Sequence, residues 1–74
     1  MLEYCIGIDA GTTNVKVILF DIDGNIVSSV SNPTPVWIDG KHYYFLPDKI
    51  WEIIKDSIRK VSAEVNGNIA SISA

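Results

Sequence analysis

Residues 7–25, GIDAGTTNVKVILFDIDGN, hold two aspartates in settings that phosphate chemistry uses. Asp9 ends an apolar run and is followed by Gly11, Thr12, Thr13 and Asn14, with Lys16 just beyond. Glycine at that point lets the backbone approach a phosphate closely, or take up a positive φ. Successive amide N–H groups in such a turn form a nest for an anion. The two threonine hydroxyls and the Asn14 amide add donors, and Lys16 adds charge. Asp9 would hold Mg²⁺ through water, because that ion keeps several waters and takes only one or two carboxylates. The plainer alternative is a hairpin turn in which the Thr and Asn side chains make local hydrogen bonds.

Asp21 offers a different chemistry. An apolar strand ending in Asp-x-Asp-Gly resembles the nucleophile motif of haloacid dehalogenase-type phosphatases, with Asp21 as the attacking carboxylate and Asp23 as acid/base. Asn25 stands where that family has a hydroxyl, and the following IVSSVSNPTPVWI reads as strand and loop rather than helix. The competing reading is a hairpin turn in which Asp and Gly serve turn geometry. The remaining candidates are weaker. His42 has no second ligand nearby and reads as a solvated loop histidine. Trp37 and Tyr43 to Phe45 read as hydrophobic anchors docking a long loop, with a sugar-stacking role as the alternative. Trp51 is expected to pack against a sheet, and Cys5 to be an ordinary buried thiol.

These residues need elements to position them. EYCIGI (3–8) and KVILF (16–20) are short β-forming runs joined by DAGTTN, which predicts a hairpin. DIDGN predicts a second tight connection into IVSSVS. Residues 32–46, with two prolines and an Asp-Gly, read as a long irregular connection with an extended piece near 41–45. The pattern of Ile50, Ile54, Ile58 and Val61 predicts an amphipathic helix over 47–65. Pro47 suits its first turn and Asp48 its dipole. Asp56 and Lys60 are spaced for an ion pair, and NGN (66–68) for a left-handed cap. IASIS (69–73) follows as a strand parallel to one of the first three. The order β-β-β-α-β predicts a mixed sheet with one helix on one face. Val15, Val17 and Leu19 point to one side of the second strand, and Ile18, Phe20 and Ile22 to the other. Two apolar faces and one helix imply a fragment of a larger fold, or self-association.

With 74 residues the chain is one domain at most, a size at which stability is marginal. Its 47% hydrophobic and 20% charged composition is that of a globular fold rather than a disordered chain. Six basic against nine acidic residues give a net charge of −3, which builds no nucleic-acid surface. One cysteine excludes an internal disulfide and fits a reducing cytoplasm. No run approaches the roughly 20 apolar residues of a membrane span, so a soluble intracellular protein is expected.

IGIDAGTTNVKVILFDIDGNIV resembles the opening of the FGGY carbohydrate kinases, the group of glycerol, xylulose, fuculose and rhamnulose kinases within the actin-like ATPase superfamily. PDKIWEIIKDSIRKV is similar to that group's Pro-x-x-x-Trp helix. The resemblance implies an RNase H-like, actin-type α/β fold, of which residues 1–74 are the N-terminal part of the first domain. It implies ATP-dependent phosphorylation of a sugar or polyol hydroxyl by a longer parent, with Asp9 as the metal-associated residue and Gly11, Thr12, Thr13, Asn14 and Lys16 around the phosphates. The catalytic base and adenosine site would lie beyond Ala74, leaving this chain inert alone. A non-catalytic actin-like ATPase module is the rival from another class. The sequence departs from the family at Lys16, where many members have arginine. It departs again at Phe45 and Leu46, where an acidic or polar residue and a helix-capping aspartate are usual.

Overall fold

The computed structural model describes residues 2–74. Strands β1 (Glu3–Ala10), β2 (Asn14–Asp21) and β3 (Ile26–Pro33) form an antiparallel meander. A two-stranded hairpin follows, β4 (Val36–Asp39) and β5 (His42–Phe45), then helix α1 (Pro47–Ser62) and strand β6 (Asn68–Ser73). The main sheet has the order β3-β2-β1-β6, with β6 parallel to β1. The mixed sheet with one helix on one face is therefore as the sequence predicts, including the parallel last strand.

Cross-strand partners share a face, so the register sorts the side chains. Ile6 faces Leu19, Ile8 faces Val17, and Val17 faces Val30. These meet the helix. Tyr4, Ile6, Val17, Leu19 and Val61 are buried as one cluster, with Ile8, Val30, Ile58, Val65 and Ile69 packed around it. The opposite face pairs Cys5 with Phe20, Gly7 with Ile18 and Asp9 with Lys16. Gly7 eases the packing there, because a β-carbon on it would stand 3.3 Å from the Phe20 ring and the ring would have to give way slightly. On this open face Ile18 and Phe20 are half-buried, while Ile22 lies beyond the strand and is 71% exposed. Serines 29 and 31 of β3 also belong to it, so it is less apolar than β2 alone suggests.

Several expectations need correction. Residues 32–46 are not an irregular connection: β3 runs on to Pro33, and Val36–Asp39 pairs with His42–Phe45. Gly40 has φ 61° and Lys41 does not share a positive φ, the pattern of a two-residue II′ connection. This is the same Asp-Gly chemistry that turns the chain at Gly24, φ 86°. Trp37, Tyr43, Tyr44 and Phe45 do not dock the hairpin; all are exposed, and Trp37 stacks on Tyr44 with centroids 5.5 Å apart. The hairpin packs chiefly on itself. The described chain accordingly measures 52 × 18 × 15 Å with a radius of gyration of 14.0 Å, against about 11 Å for a compact chain of this length.

The helix ends at Ser62, not 65, with Ala63 still right-handed. No left-handed cap forms at 66–68, since the positive-φ residues are Gly24 and Gly40. Leu46 at the N-cap contributes no side-chain bond, as expected where the capping aspartate is replaced. Trp51 is 56% exposed rather than packed on the sheet, and Cys5 is only half-buried. Asp56 pairs with Arg59 at 3.3 Å, not with Lys60. Among the described residues no helix is long and apolar enough to cross a membrane.

Candidate phosphate-binding site

The two aspartates lie at opposite ends of the β1–β2 pair. Tyr4 is opposite Asp21 and Asp9 is opposite Lys16. Five residues of strand at ~3.3 Å each separate them by about 16 Å. They cannot serve one centre.

At Asp21 the carboxylate is occupied by its own turn. Oδ1 accepts from the Asp23 and Asn25 backbone N–H groups at 3.0 and 2.8 Å, and Oδ2 from the Asn25 side-chain amide at 3.1 Å. The Asn25 backbone N–H is the largest cause holding the Asp21 carboxyl below its ordinary pKa, followed by the Asn25 side chain, with partial desolvation opposing them. Asn25, which breaks the phosphatase pattern, is thus the residue that ties Asp21 into the hairpin. A hollow of about 620 Å³ lies here, lined by Leu2, Glu3, Tyr4, Asp21, Ile22 and Asp23. It is larger than the one at the other end, yet a carboxylate with both oxygens already accepting is poorly placed to attack a substrate. Volume does not outweigh that chemistry.

The Asp9 end is built differently. Asp9 and Asn14 belong to β1 and β2, so the turn proper is Gly11 to Thr13, shorter than the sequence suggests. Gly11 N–H donates to the Asn14 carbonyl at 2.9 Å, and its φ is not positive. Glycine is there for space, since a β-carbon would lie 3.2 Å from the Asn14 oxygen. Asp9, Gly11, Thr12, Thr13, Asn14 and Lys16 are all exposed. Asp9 and Lys16 stand side by side on the open face, and among the described residues the two ion pairs are both on the helix and neither includes Asp9 or Lys16. Among the described residues, the N–H groups and hydroxyls of Thr12 and Thr13 are likewise unengaged. A hollow of about 320 Å³ lined by Ala10, Gly11, Thr12, Phe45 and Ile50 opens beside the turn. The six residues singled out in the sequence are therefore brought together at one end of one hairpin, with the Thr12 and Thr13 donors unengaged.

One residue of this site was not singled out. Thr34, only 8% exposed, donates its hydroxyl to the Gly11 carbonyl at 2.7 Å and its N–H to the Thr13 carbonyl at 2.9 Å. Its signal was present in NPTP: a residue before proline is pushed to extended backbone, and Pro33 has its own φ fixed. Pro33 is tolerated because β3 is an edge strand. His42 is exposed in β5, and no cluster of three metal-ligating side chains occurs among the described residues. One carboxylate beside a donor-rich turn fits a Mg²⁺ carried on nucleotide phosphates with most of its water retained, rather than a metal caged by protein.

The chain is also similar to known proteins. In sequence the chain is 34% identical to glycerol kinase of Petrotoga mobilis, over 100% of this chain and 15% of that one. It is 36% identical to glycerol kinase of Aquifex aeolicus, over 86% of this chain and 13% of that one. Gluconate kinase from Lactobacillus acidophilus superposes with a TM-score of 0.88 at 36% identity, covering 99% of this chain and 16% of the kinase. Xylulose kinase from the same organism gives 0.86 at 36% identity, covering 96% and 15%. The chain thus spans about 15% of the length of the kinases it matches. Residues 4–74 match the family described as FGGY family of carbohydrate kinases, N-terminal domain, and with that match the chain belongs to the FGGY carbohydrate kinases.

Proposed function

We propose that this chain is the N-terminal part of the first actin-like domain of a kinase that transfers a phosphoryl group from ATP to a hydroxyl of a sugar or polyol. The observation that carries the reading is the Gly11–Thr13 turn, whose free N–H and hydroxyl donors stand next to Asp9 and Lys16. Phosphoryl transfer asks a protein mainly for positioning and charge neutralisation. Thr12 and Thr13 would orient phosphate oxygens by hydrogen bonds from backbone and hydroxyl, Asn14 would add an amide donor, and Lys16 would offset charge as a point cation. Asp9 would hold Mg²⁺ through water, the ion supplying charge compensation on the phosphates when bound. The similar proteins are glycerol, gluconate and xylulose kinases, which supports a polyhydroxylated acceptor. An intracellular setting belongs to the same proposal, because ATP is the co-substrate.

The remainder of the kinase is the partner this reading requires. The exposed Trp37, Ile38, Tyr43, Tyr44 and Phe45 of the hairpin and the half-buried Ile18 and Phe20 support such a covering, and in isolation they favour self-association. The test is an assay of ADP formation by the full-length protein with glycerol, gluconate and xylulose offered in turn. Acceptor-dependent turnover of ATP by the full-length protein, and none by residues 1–74 alone, is expected. Turnover by the 74-residue chain alone, or no acceptor dependence in the whole protein, contradicts the proposal.

A further inference from the structure

We infer that Thr34 is a positioning residue for the phosphate turn, an inference that rests on the reading of that turn given above. Thr34 sits between β3 and β4, outside the hairpin that carries the site, and is almost wholly buried. It is bound to two of the turn's carbonyls, Gly11 through its hydroxyl and Thr13 through its N–H. The consequence follows from peptide geometry. In a planar trans peptide the C=O and the following N–H point in opposite directions. Holding the Gly11 carbonyl against Thr34 therefore aims the Thr12 N–H away from Thr34, and holding the Thr13 carbonyl does the same for the Asn14 N–H. Thr12 N–H has no backbone acceptor among the described residues, so its direction is not set by a bond of its own. Without the Thr34 hydroxyl the Gly11–Thr12 peptide is free to rotate, and a carbonyl turned outward presents an acceptor where an anion needs a donor.

Thr34 is itself held in place. Pro35 restricts it to extended backbone, and the end of β3 is tied to the helix through Asn32, whose side-chain amide donates to the buried Ser57 hydroxyl at 3.5 Å. The helix, the edge strand and the turn are thereby joined through two side chains, Asn32 and Thr34. Thr34 touches no substrate in this scheme; it acts through Gly11 and Thr13.

The experiment compares Thr34→Val, which keeps the shape and removes the hydroxyl, with Thr34→Ser, which keeps the hydroxyl, both in the full-length protein. The dissociation constant of Mg·ATP is measured without acceptor, and amide hydrogen exchange is followed at Gly11, whose N–H closes the turn on the Asn14 carbonyl at 2.9 Å. Thr34→Val is expected to weaken Mg·ATP binding about tenfold, the scale of one lost buried hydrogen bond. The same variant is expected to speed exchange at Gly11, while Thr34→Ser stays within about twofold of the parent in both readouts. Wild-type Mg·ATP affinity in Thr34→Val, or a loss in Thr34→Ser as large as in Thr34→Val, overturns the inference. Should the unmodified full-length protein bind no Mg·ATP, the functional reading fails instead. The exchange arm then still decides whether Thr34 holds the turn.

Discussion

Gly67 gives a sharp test of how the last strand is set beside the first. A glycine after a helix suggests a left-handed cap, but the structure assigns it a different necessity. A β-carbon there would overlap the Tyr4 ring at Cε2, and would stand 2.6 Å from the Leu2 carbonyl oxygen and 2.9 Å from Tyr4 Cδ2. The ring can swing; the carbonyl cannot, because Leu2 O accepts the Asn68 N–H at 2.9 Å and so starts the β1–β6 pairing. Forcing one extra carbon into such a contact costs about 1–3 kcal/mol. The stiffer unfolded chain of alanine returns roughly 0.4–1 kcal/mol, leaving Gly67→Ala destabilised by about 1–2 kcal/mol by these principles. The assay is native-state amide exchange at Asn68 in the full-length protein, where about 1.4 kcal/mol appears as a tenfold faster local opening. Gly67→Asn separates the two explanations. Asparagine tolerates the left-handed region but is bulkier than alanine, so it is expected to do at least as much damage as Gly67→Ala. If Gly67→Asn proves milder than Gly67→Ala, backbone conformation and not space is the reason for glycine, and the steric argument is refuted.

Three further outcomes are expected. Asp21 has a folded pKa held below its ordinary value, so its contribution is present above that ordinary range and is lost as pH falls through the lowered value. The protection of β2–β3 amides in the parent over that in Asp21→Asn should therefore shrink between about pH 6 and pH 2, and an advantage that grows with acid would contradict the assigned bonds. Leu19, fully buried in the small core, should lose about 2–5 kcal/mol on replacement by alanine, seen as a lower denaturation midpoint of the domain, whereas replacement of the exposed Trp51 in the isolated chain should lower it by less than about 0.5 kcal/mol. The isolated chain should sediment at micromolar concentration as more than a monomer, and serine at Trp37 and Tyr44 should reduce that; a clean monomer of the unmodified chain would count against the uncovered-surface argument.

The sheet, its parallel last strand and the helix were legible because each rests on a local pattern that the packing leaves intact. Val17 and Leu19 of the alternation and Ile58 and Val61 of the helical spacing meet in one core, with Val15 buried and Ile50 and Ile54 half-buried on the same faces. The β4–β5 hairpin was missed although its Gly40 turn carries the same signal as Gly24, because two prolines and a run of aromatic residues on both faces hide the alternation that marks a half-buried strand. Trp51 was misjudged because it lies on the flank of the apolar stripe, where a few tens of degrees decide between sheet and solvent. The site's own residues were legible as a motif. Thr34 was not, since its role depends on two carbonyls more than twenty positions away in sequence, and no spacing rule encodes that contact.

Asp9, not Asp21, is the aspartate proposed to serve the chemistry. Steady-state kinetics of Asp9→Asn and Asp21→Asn in the full-length protein tests that assignment most directly. If Asp9 holds the metal against the transferring phosphates, its amide should lower kcat by about 10²- to 10³-fold, the scale of a lost electrostatic contact in the transition state. Asparagine suits the turn that Asp21 shapes, so Asp21→Asn should lose less than about threefold, roughly 0.7 kcal/mol of barrier. A large loss for Asp21→Asn with Asp9→Asn near the parent's rate would contradict the assignment and return the phosphatase reading.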